Sequence, residues 1–484
     1  MSGSSGNAVW AASLDQVDPK DIWQKDKDHF VHPWTHFDSF KKDGSLVMGR
    51  AEGAYVFDLS GKRYLDGIGG LWCVNIGYGR REIVEAISQQ AMRMAFFNPF
   101  VDTTNVPAAE LAAKLASLAP GDLNKVFFTC GGSTANDTAV RIAHYYHARR
   151  GKKSKKQIIS RIDAYHGSTY LTGSITGRPA DRSPYLHFVE DLVHHVSSPN
   201  YYRAHEVLPN GIGKGMTEEQ FCDYLIDELE AKILEVGPDN IAMFFAEPVM
   251  GAGGVIVPPK GYHKRSLELC HRHDILYISD EVVTAFGRLG HFFASEDVFG
   301  IIPDMIVTAK GLTSGYQPLG ACIFSDRIYE AMSAADPDGW FTNGYTYSGH
   351  PVACAAALAN IALMEREDLP GHVQRMGPYL EQQLGTLLEL PIVGNVRGHK
   401  FMMCVENVMN KETREHFPDA VNIGKRISDH CERLGLIVRP LGALNVISPP
   451  LTLNKEEVDE LVSLLRQGIE ATLADLKAEG HYKG

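Results

Sequence analysis

The sequence predicts an α/β protein, with a large domain on a mostly parallel sheet and a smaller α+β domain beside it. Three observations carry this expectation. From about residue 80, helix-period segments alternate with short, nearly continuous apolar runs, the pattern of strands buried on both faces. Five of those runs end directly in residues with chemistry in them, and ligands of open α/β sheets bind at the carboxyl ends of the strands. The chain has 484 residues, whereas single cores stop growing at about 250 to 300, so more than one domain is expected.

Residues 1–6, Met-Ser-Gly-Ser-Ser-Gly, read as a flexible end or a remnant of preparation, with neither the basic nor the apolar part of a signal peptide. Residues 15–45 mix Pro19 and Pro33 with Trp23, Phe30, Trp34, Phe37 and Phe40, which predicts a short helix and an arm lying on apolar surface. Alternation over 53–66 around Ser60-Gly61 predicts a hairpin.

The five apolar runs follow, at 126–129, 158–162, 241–246, 275–279 and 305–308. They lead into Gly131-Gly132-Ser133, Tyr165-His166-Gly167, Glu247-Pro248, Asp280-Glu281 and Lys310. The stretch 181–215, rich in Pro, His, Tyr and Gly with little period, is expected to be a surface excursion or a subunit contact. From about 340, short strands are expected near Asn395, over 436–439 and near Asn445, then a helix opened by Asn454 with Glu457 at the capping-box position. The expected division is 1–75 as an N-terminal arm and part of the small domain, 76–340 as the large domain, and 341–484 as the C-terminal small domain.

Composition narrows the function. With 44% hydrophobic and 22% charged residues the chain is a folded one, and its net charge of -12 leaves no broad basic surface for nucleic acid. Small molecules are the expected partners. Cys73, Cys130, Cys222, Cys270, Cys322, Cys354, Cys404 and Cys431 form no C-x-x-C pair and read as reduced core residues of a cytoplasmic protein. The small-apolar run 352–364 is short of the about 20 residues a bilayer span needs. His144 with His147, His194-His195, and His271 with His273 lack Cys or carboxylate partners at zinc spacing, so no metal is expected. No G-x-S-x-G, dinucleotide fingerprint or Walker loop is present.

A lysine ending one buried strand and an aspartate ending another is the arrangement a pyridoxal phosphate enzyme needs: an amine for the Schiff base and a carboxylate for the ring nitrogen. Lys310 and Asp280 stand in those places. Burial lowers a lysine pKa and makes the amine a better nucleophile and a usable base, while Gly311 leaves backbone room for a bulky imine. Asp280 pairs either with a protonated pyridine or with a structural cation or helix end. Gly131-Gly132-Ser133, opening a helix with apolar positions Ala135, Ala139, Ile142, Ala143 and Tyr146, is either a phosphate cradle or a tight turn. Tyr165 is either a stacking face for a planar ring or a core aromatic.

Together these residues resemble the class III pyridoxal-phosphate aminotransferases, of fold type I. The most specific segments are Ile278-Ser-Asp-Glu-Val-Val-Thr-Ala-Phe-Gly-Arg, Thr308-Ala-Lys-Gly and Tyr345-Thr-Tyr-Ser-Gly-His-Pro. The resemblance implies that Lys310 holds the cofactor, Asp280 binds the pyridine nitrogen, and Tyr165 and Val282 sandwich the ring. It implies that Gly132 and Ser133 bind the phosphate, with Thr346 donated by the other subunit of a dimer or dimer of dimers. His166 and Glu247, at their strand ends, are counted with the cofactor-binding residues. Leu71-Trp72-Cys73 and Leu436-Ile-Val-Arg439-Pro look most like the amine-pyruvate branch, in which Trp72 and Tyr165 line the pocket and Arg439 binds a substrate carboxylate. Two departures from the family pattern are Thr134 where a Glu is common and Arg397-Gly-His-Lys400 where Arg-Gly-x-Gly is usual. The implied reaction is transamination from a primary amine or omega-amino acid to a keto acid, pyruvate first among them. An aminomutase, racemase or decarboxylase on the same fold is the alternative, and a cofactor-binding regulator a third; the latter needs a DNA-binding region, which residues 1–45 do not suggest.

Overall fold

The computed structural model describes residues 17–482, so the reading of residues 1–6 lies outside the described residues. In chain order the strands are β1 (Met48–Glu52), β2 (Tyr55–Asp58), β3 (Arg63–Asp66), β4 (Leu123–Thr129), β5 (Gln157–Arg161), β6 (Val193–Val196), β7 (Ile241–Ala246) and β8 (Leu276–Asp280). They continue with β9 (Met305–Thr308), β10 (Gly320–Ser325), β11 (Val393–His399), β12 (Met402–Asn407), β13 (Leu436–Ile437), β14 (Arg439–Leu441) and β15 (Leu444–Ile447).

The central sheet has the order β4-β10-β9-β8-β7-β5-β6. Strands β6, β5, β7, β8 and β9 pair in parallel, and β10 runs antiparallel to both β9 and β4. Each expected apolar run falls in this sheet. Strands β7 to β10 are buried at every residue, as sheets covered on both faces are. One cover is the helix Gly132–Arg149, whose buried stripe includes Ala135, Ala139, Ile142, Ala143 and Tyr146 and which packs on β9 and β10.

Two strands of this sheet were not foreseen. Strand β6 lies inside 181–215, so that stretch is only partly an excursion: Val193 and Val196 face the core, while His194 and His195 mask the strand in the sequence. Strand β10 ends in Ser325, which caps a helix by accepting from Ile328 N. No chemistry-bearing residue marks it.

At the other end, β1, β2, β3 and β13 form one sheet and β11-β12-β15-β14 another. The single strand expected over 436–439 is two. Leu436 and Ile437 pair in parallel with β3, and Arg439 changes sheets to pair with Val446. The expected hairpin around Ser60-Gly61 joins β2 to β3. Asn454 and Glu457 exchange side-chain-to-backbone hydrogen bonds of 2.9 Å at the start of the helix Lys455–Ala478. Lys400, at the departure from Arg-Gly-x-Gly, has φ +54, the left-handed region in which a glycine costs least.

All eight cysteines are free, with Cys73 and Cys130 half-buried and the others buried. Among the described residues no helix is long and apolar enough to cross a membrane.

Candidate active site

One cavity opens at the carboxyl ends of β4, β5, β7, β8 and β9, where strand β14 meets them. Lys310 and Asp280 both line it. Lys310 follows β9 at φ +41, a conformation that costs a non-glycine residue roughly 1 to 3 kcal/mol and clusters at functional sites. Its amine has no hydrogen-bond partner among the described residues. Burial pushes the Lys310 amine below the ordinary lysine value, with Asp280 opposing that shift. The room at Gly311 has a different cause from the expected one: a Cβ there would lie 2.4 Å from Asn75 Nδ2. Gly311 therefore admits the buried Asn75, whose amide donates to Phe286 O at 2.6 Å, rather than an imine.

Asp280 closes β8 and is 4% exposed. A buried carboxylate needs donors, and three reach it: Asn136 Nδ2 at 2.8 Å and His166 Nδ1 at 2.7 Å on one oxygen, Val282 N at 3.1 Å on the other. Charge-assisted bonds of this kind contribute about 1.5 to 3 kcal/mol each. The acceptor requires the proton of His166 on Nδ1, so the imidazole fills one side of Asp280, and the other side faces the cavity. Asn136 also donates to His166 O at 2.8 Å and ties the helix start to the β5 loop. It was missed as a site residue, although its place one turn after Gly132 puts both on one helix face.

Gly132 and Ser133 begin the helix, where backbone amides lack intrahelical partners. A Cβ on Gly132 would stand 3.0 Å from Val282 Cγ1, so only glycine lets the helix start approach the Val282 wall. Ser133 Oγ accepts from Ser168 N at 3.1 Å. Tyr165 and Val282 both line the cavity, and Tyr165 OH lies 2.9 Å from Ser168 Oγ. Glu247 also lines it, but its carboxylate accepts from Tyr165 N at 3.0 Å and Gly251 N at 2.8 Å. Burial pushes the Glu247 carboxyl up. Its visible work is to fix the loops that carry Tyr165 and Gly251.

Trp72 reaches the cavity through a strained turn: Gly69, Gly70 and Trp72 all have positive φ. Buried Asp66 holds that turn by accepting from Gly70 N at 2.7 Å, Ile68 N at 3.1 Å and Tyr78 OH at 2.7 Å. The indole lies against Gly251, where a Cβ would come within 2.2 Å of its ring. Arg439 enters from β14. Burial pushes its guanidinium below the ordinary arginine value, and Arg178 pushes the same way.

The cavity thus gathers Trp72, Gly132, Ser133, Tyr165, His166, Glu247, Asp280, Val282, Lys310 and Arg439. Thr346 is exposed and outside it. Trp34 and Arg178 line the cavity without having been foreseen as site residues. Both stand in aperiodic segments, where sequence carries no signal of which way a side chain turns.

The histidine groups make structural bonds: His144 Nε2 to Lys156 O, His147 Nε2 to Ala242 O and His195 Nε2 to Ile175 O, at 2.9 to 3.1 Å. Among the described residues no cluster of His, Cys, Asp or Glu could hold a metal ion.

The family model for class-III aminotransferases matches residues 39–469. A putrescine–pyruvate aminotransferase of Pseudomonas aeruginosa is 41% identical over 94% of this chain and 97% of its own length. A mitochondrial gamma-aminobutyrate transaminase of Oryza sativa is 40% identical over 90% of this chain and 83% of its own. Among solved structures, an (S)-enantioselective omega-transaminase from Thermomicrobium roseum matches with TM-score 0.88 and 42% identity, covering 94% of this chain and 98% of that one. An omega-transaminase from Pseudomonas jessenii in complex with PMP matches with TM-score 0.90 and 36% identity over 94% and 99%.

Proposed function

Because the chain belongs to the class-III aminotransferases, a pyridoxal-phosphate-dependent family of fold type I, we propose that this cavity moves an amino group from a primary amine or omega-amino acid to pyruvate through Lys310. The observation that carries the reading is the meeting, in one cavity with an arginine at its edge, of a lysine amine without a partner among the described residues and a buried, triply hydrogen-bonded carboxylate.

The residues fit the cofactor. The free amides of the helix start at Gly132 and Ser133 would take its phosphate, and the Gly132–Val282 approach leaves a slot that a side chain would fill. Tyr165 and Val282 would cover the two faces of the ring. Asp280 would pair with the ring nitrogen, and Lys310 would hold the cofactor covalently. Bound pyridoxal phosphate supplies an electron sink for the carbon that loses its proton.

This chain's own residues do the rest. Burial keeps the Lys310 amine closer to its neutral form, so it would serve as the nucleophile that holds the cofactor and as the base for the proton on the donor carbon. Asp280, fixed by Asn136, His166 and Val282 N, holds a proton at the ring nitrogen while negative charge develops. Trp72 and Tyr165 narrow the donor side, and Arg439 takes the carboxylate of the keto acid.

The proposed assembly is a homodimer or dimer of dimers in which Thr346 completes the partner's phosphate site. Exposed Phe96, Phe97, Phe100, Val101, Trp340 and Tyr347 support it, since they lie on the segments around Thr346 and Gly344 approaches the Phe100 ring. The proposed location is the cytoplasm, supported by eight free cysteines. The test is a donor panel with and without added pyruvate. Amine consumption should require the keto acid and release alanine in equal amount; turnover without any acceptor would replace aminotransfer by another reaction.

A further inference from the structure

We propose that Arg178 reads the distal end of the amino donor for negative charge, with Asp181 as its counter-ion when no such charge is bound, so that donors ending in an anion are preferred over diamines. The inference rests on the aminotransfer reading of the same cavity and names the donor class within it. Arg178 follows the helix Tyr170–Ile175, and its guanidinium lines the cavity 6.0 Å from the centre of the Trp34 ring. Its Nη1 donates to Asp181 Oδ2 at 2.8 Å, and the two side chains are 16% and 8% exposed.

This pair is three residues apart at a short 3-10 turn, Pro179–Asp181, and could serve only to fasten it. Two observations point further. A guanidinium has five N–H donors, and among the described residues Asp181 takes the one side-chain hydrogen bond that Arg178 makes. The remaining donors are available to a planar anion without breaking that bond. Moreover, Arg178 faces the cavity and Asp181 does not. A diamine's second ammonium would therefore meet the cation of the pair, not its carboxylate.

Arg439 lines the same cavity, and Arg178 and Asp181 both act on its charge. Two guanidiniums face Asp181 at this end, and burial pushes the neighbouring Asp163 carboxyl up toward its neutral form. That end suits a site which must seat an α-carboxylate in one half-reaction and a remote anion in the other. With an uncharged donor, Asp181 keeps Arg178 from being buried unpaired. Trp34, held at φ +59 on the N-terminal arm, supplies an aromatic face beside Arg178, and its ring centre is 6.1 Å from that of Tyr165.

The experiment uses cofactor-loaded enzyme with pyruvate and three four-carbon donors: 4-aminobutyrate, butylamine and 1,4-diaminobutane. In Arg178→Gln the ratio of kcat/KM for 4-aminobutyrate to that for 1,4-diaminobutane should fall about ten- to a hundredfold, the value of one charge-assisted hydrogen bond. Arg178→Lys, which keeps the charge, should keep the anionic donor ahead. 3-Aminopropanesulfonate separates the tails: a parallel loss assigns recognition to charge, and a loss for the carboxylate alone assigns it to the planar fork. A ratio moved less than twofold in Arg178→Gln overturns the proposal. Calorimetric titration with butyrate gives a readout without turnover. If no donor aminates pyruvate, the aminotransfer reading fails, and the titration decides Arg178 by itself: weaker butyrate binding in Arg178→Gln supports it, equal binding overturns it.

Discussion

His166 Nδ1 stands 2.7 Å from Asp280 Oδ2, and both side chains are buried. The histidine presses a donor onto the carboxylate from behind, so the free side of Asp280 is held toward the cavity. His166→Ala removes one of its charge-assisted bonds and should lower kcat by about ten- to a hundredfold while the cofactor stays bound. The visible absorption of the bound cofactor, titrated against pH, should shift as well. A purely structural histidine would change thermal stability and leave that titration in place.

Asp280 and His166 also show how much the sequence disclosed. The ends of β7, β8 and β9 were legible because those strands are buried on both faces and so are mostly apolar. Strand β6 was not, because this short edge strand carries His194 and His195, one on each face, each half-buried and hydrogen-bonded to Gln157 and Ile175 O. Lys310 and Asp280 were legible from their places at strand ends. Trp34 and Arg178 were not, since a loop side chain's direction depends on packing that no local period encodes. The division of β13 from β14 was hidden too: the apolar run 436–438 leads straight into Arg439 with no turn signal, and the break comes from Leu436 and Ile437 pairing with β3 while Arg439 pairs with Val446.

Thr346 is exposed within its own chain, and a hydroxyl that acts only on a partner's phosphate site should matter to retention, not folding. Thr346→Ala is expected to weaken cofactor retention several-fold on dialysis with Tm of the apo protein unchanged. Sedimentation at high dilution checks the shared site, because a monomer with full activity is incompatible with it.

Arg439 sits half-buried with burial and Arg178 both depressing its pKa, so it costs least when an anion is bound. Arg439→Ala should raise KM for pyruvate by about ten- to a hundredfold and leave the half-reaction with butylamine within about threefold. Single-turnover measurements of the two half-reactions check this. Equal losses in both would make Arg439 structural.

Lys310 gives a pH signature to the cofactor-free protein. Its folded pKa is depressed by burial, so the unfolded chain binds the proton more tightly and the charged amine destabilises the fold. That penalty is full below the folded pKa and fades as pH rises toward the unfolded value of about 10.4. Lys310→Met should therefore be more stable than the parent when both are cofactor-free, with a gap that narrows as pH rises through the alkaline range. Urea unfolding at several pH values reads it; a gap that widens with pH would reverse the sign of the burial effect.

The most direct measurement is the position of the covalently held cofactor. Borohydride treatment of the purified enzyme, followed by peptide mapping, should place the reduced adduct on Lys310, and Lys310→Ala should yield none. A label on any other lysine, or a Lys310→Ala protein that still fixes the cofactor and transfers amino groups, would contradict the account.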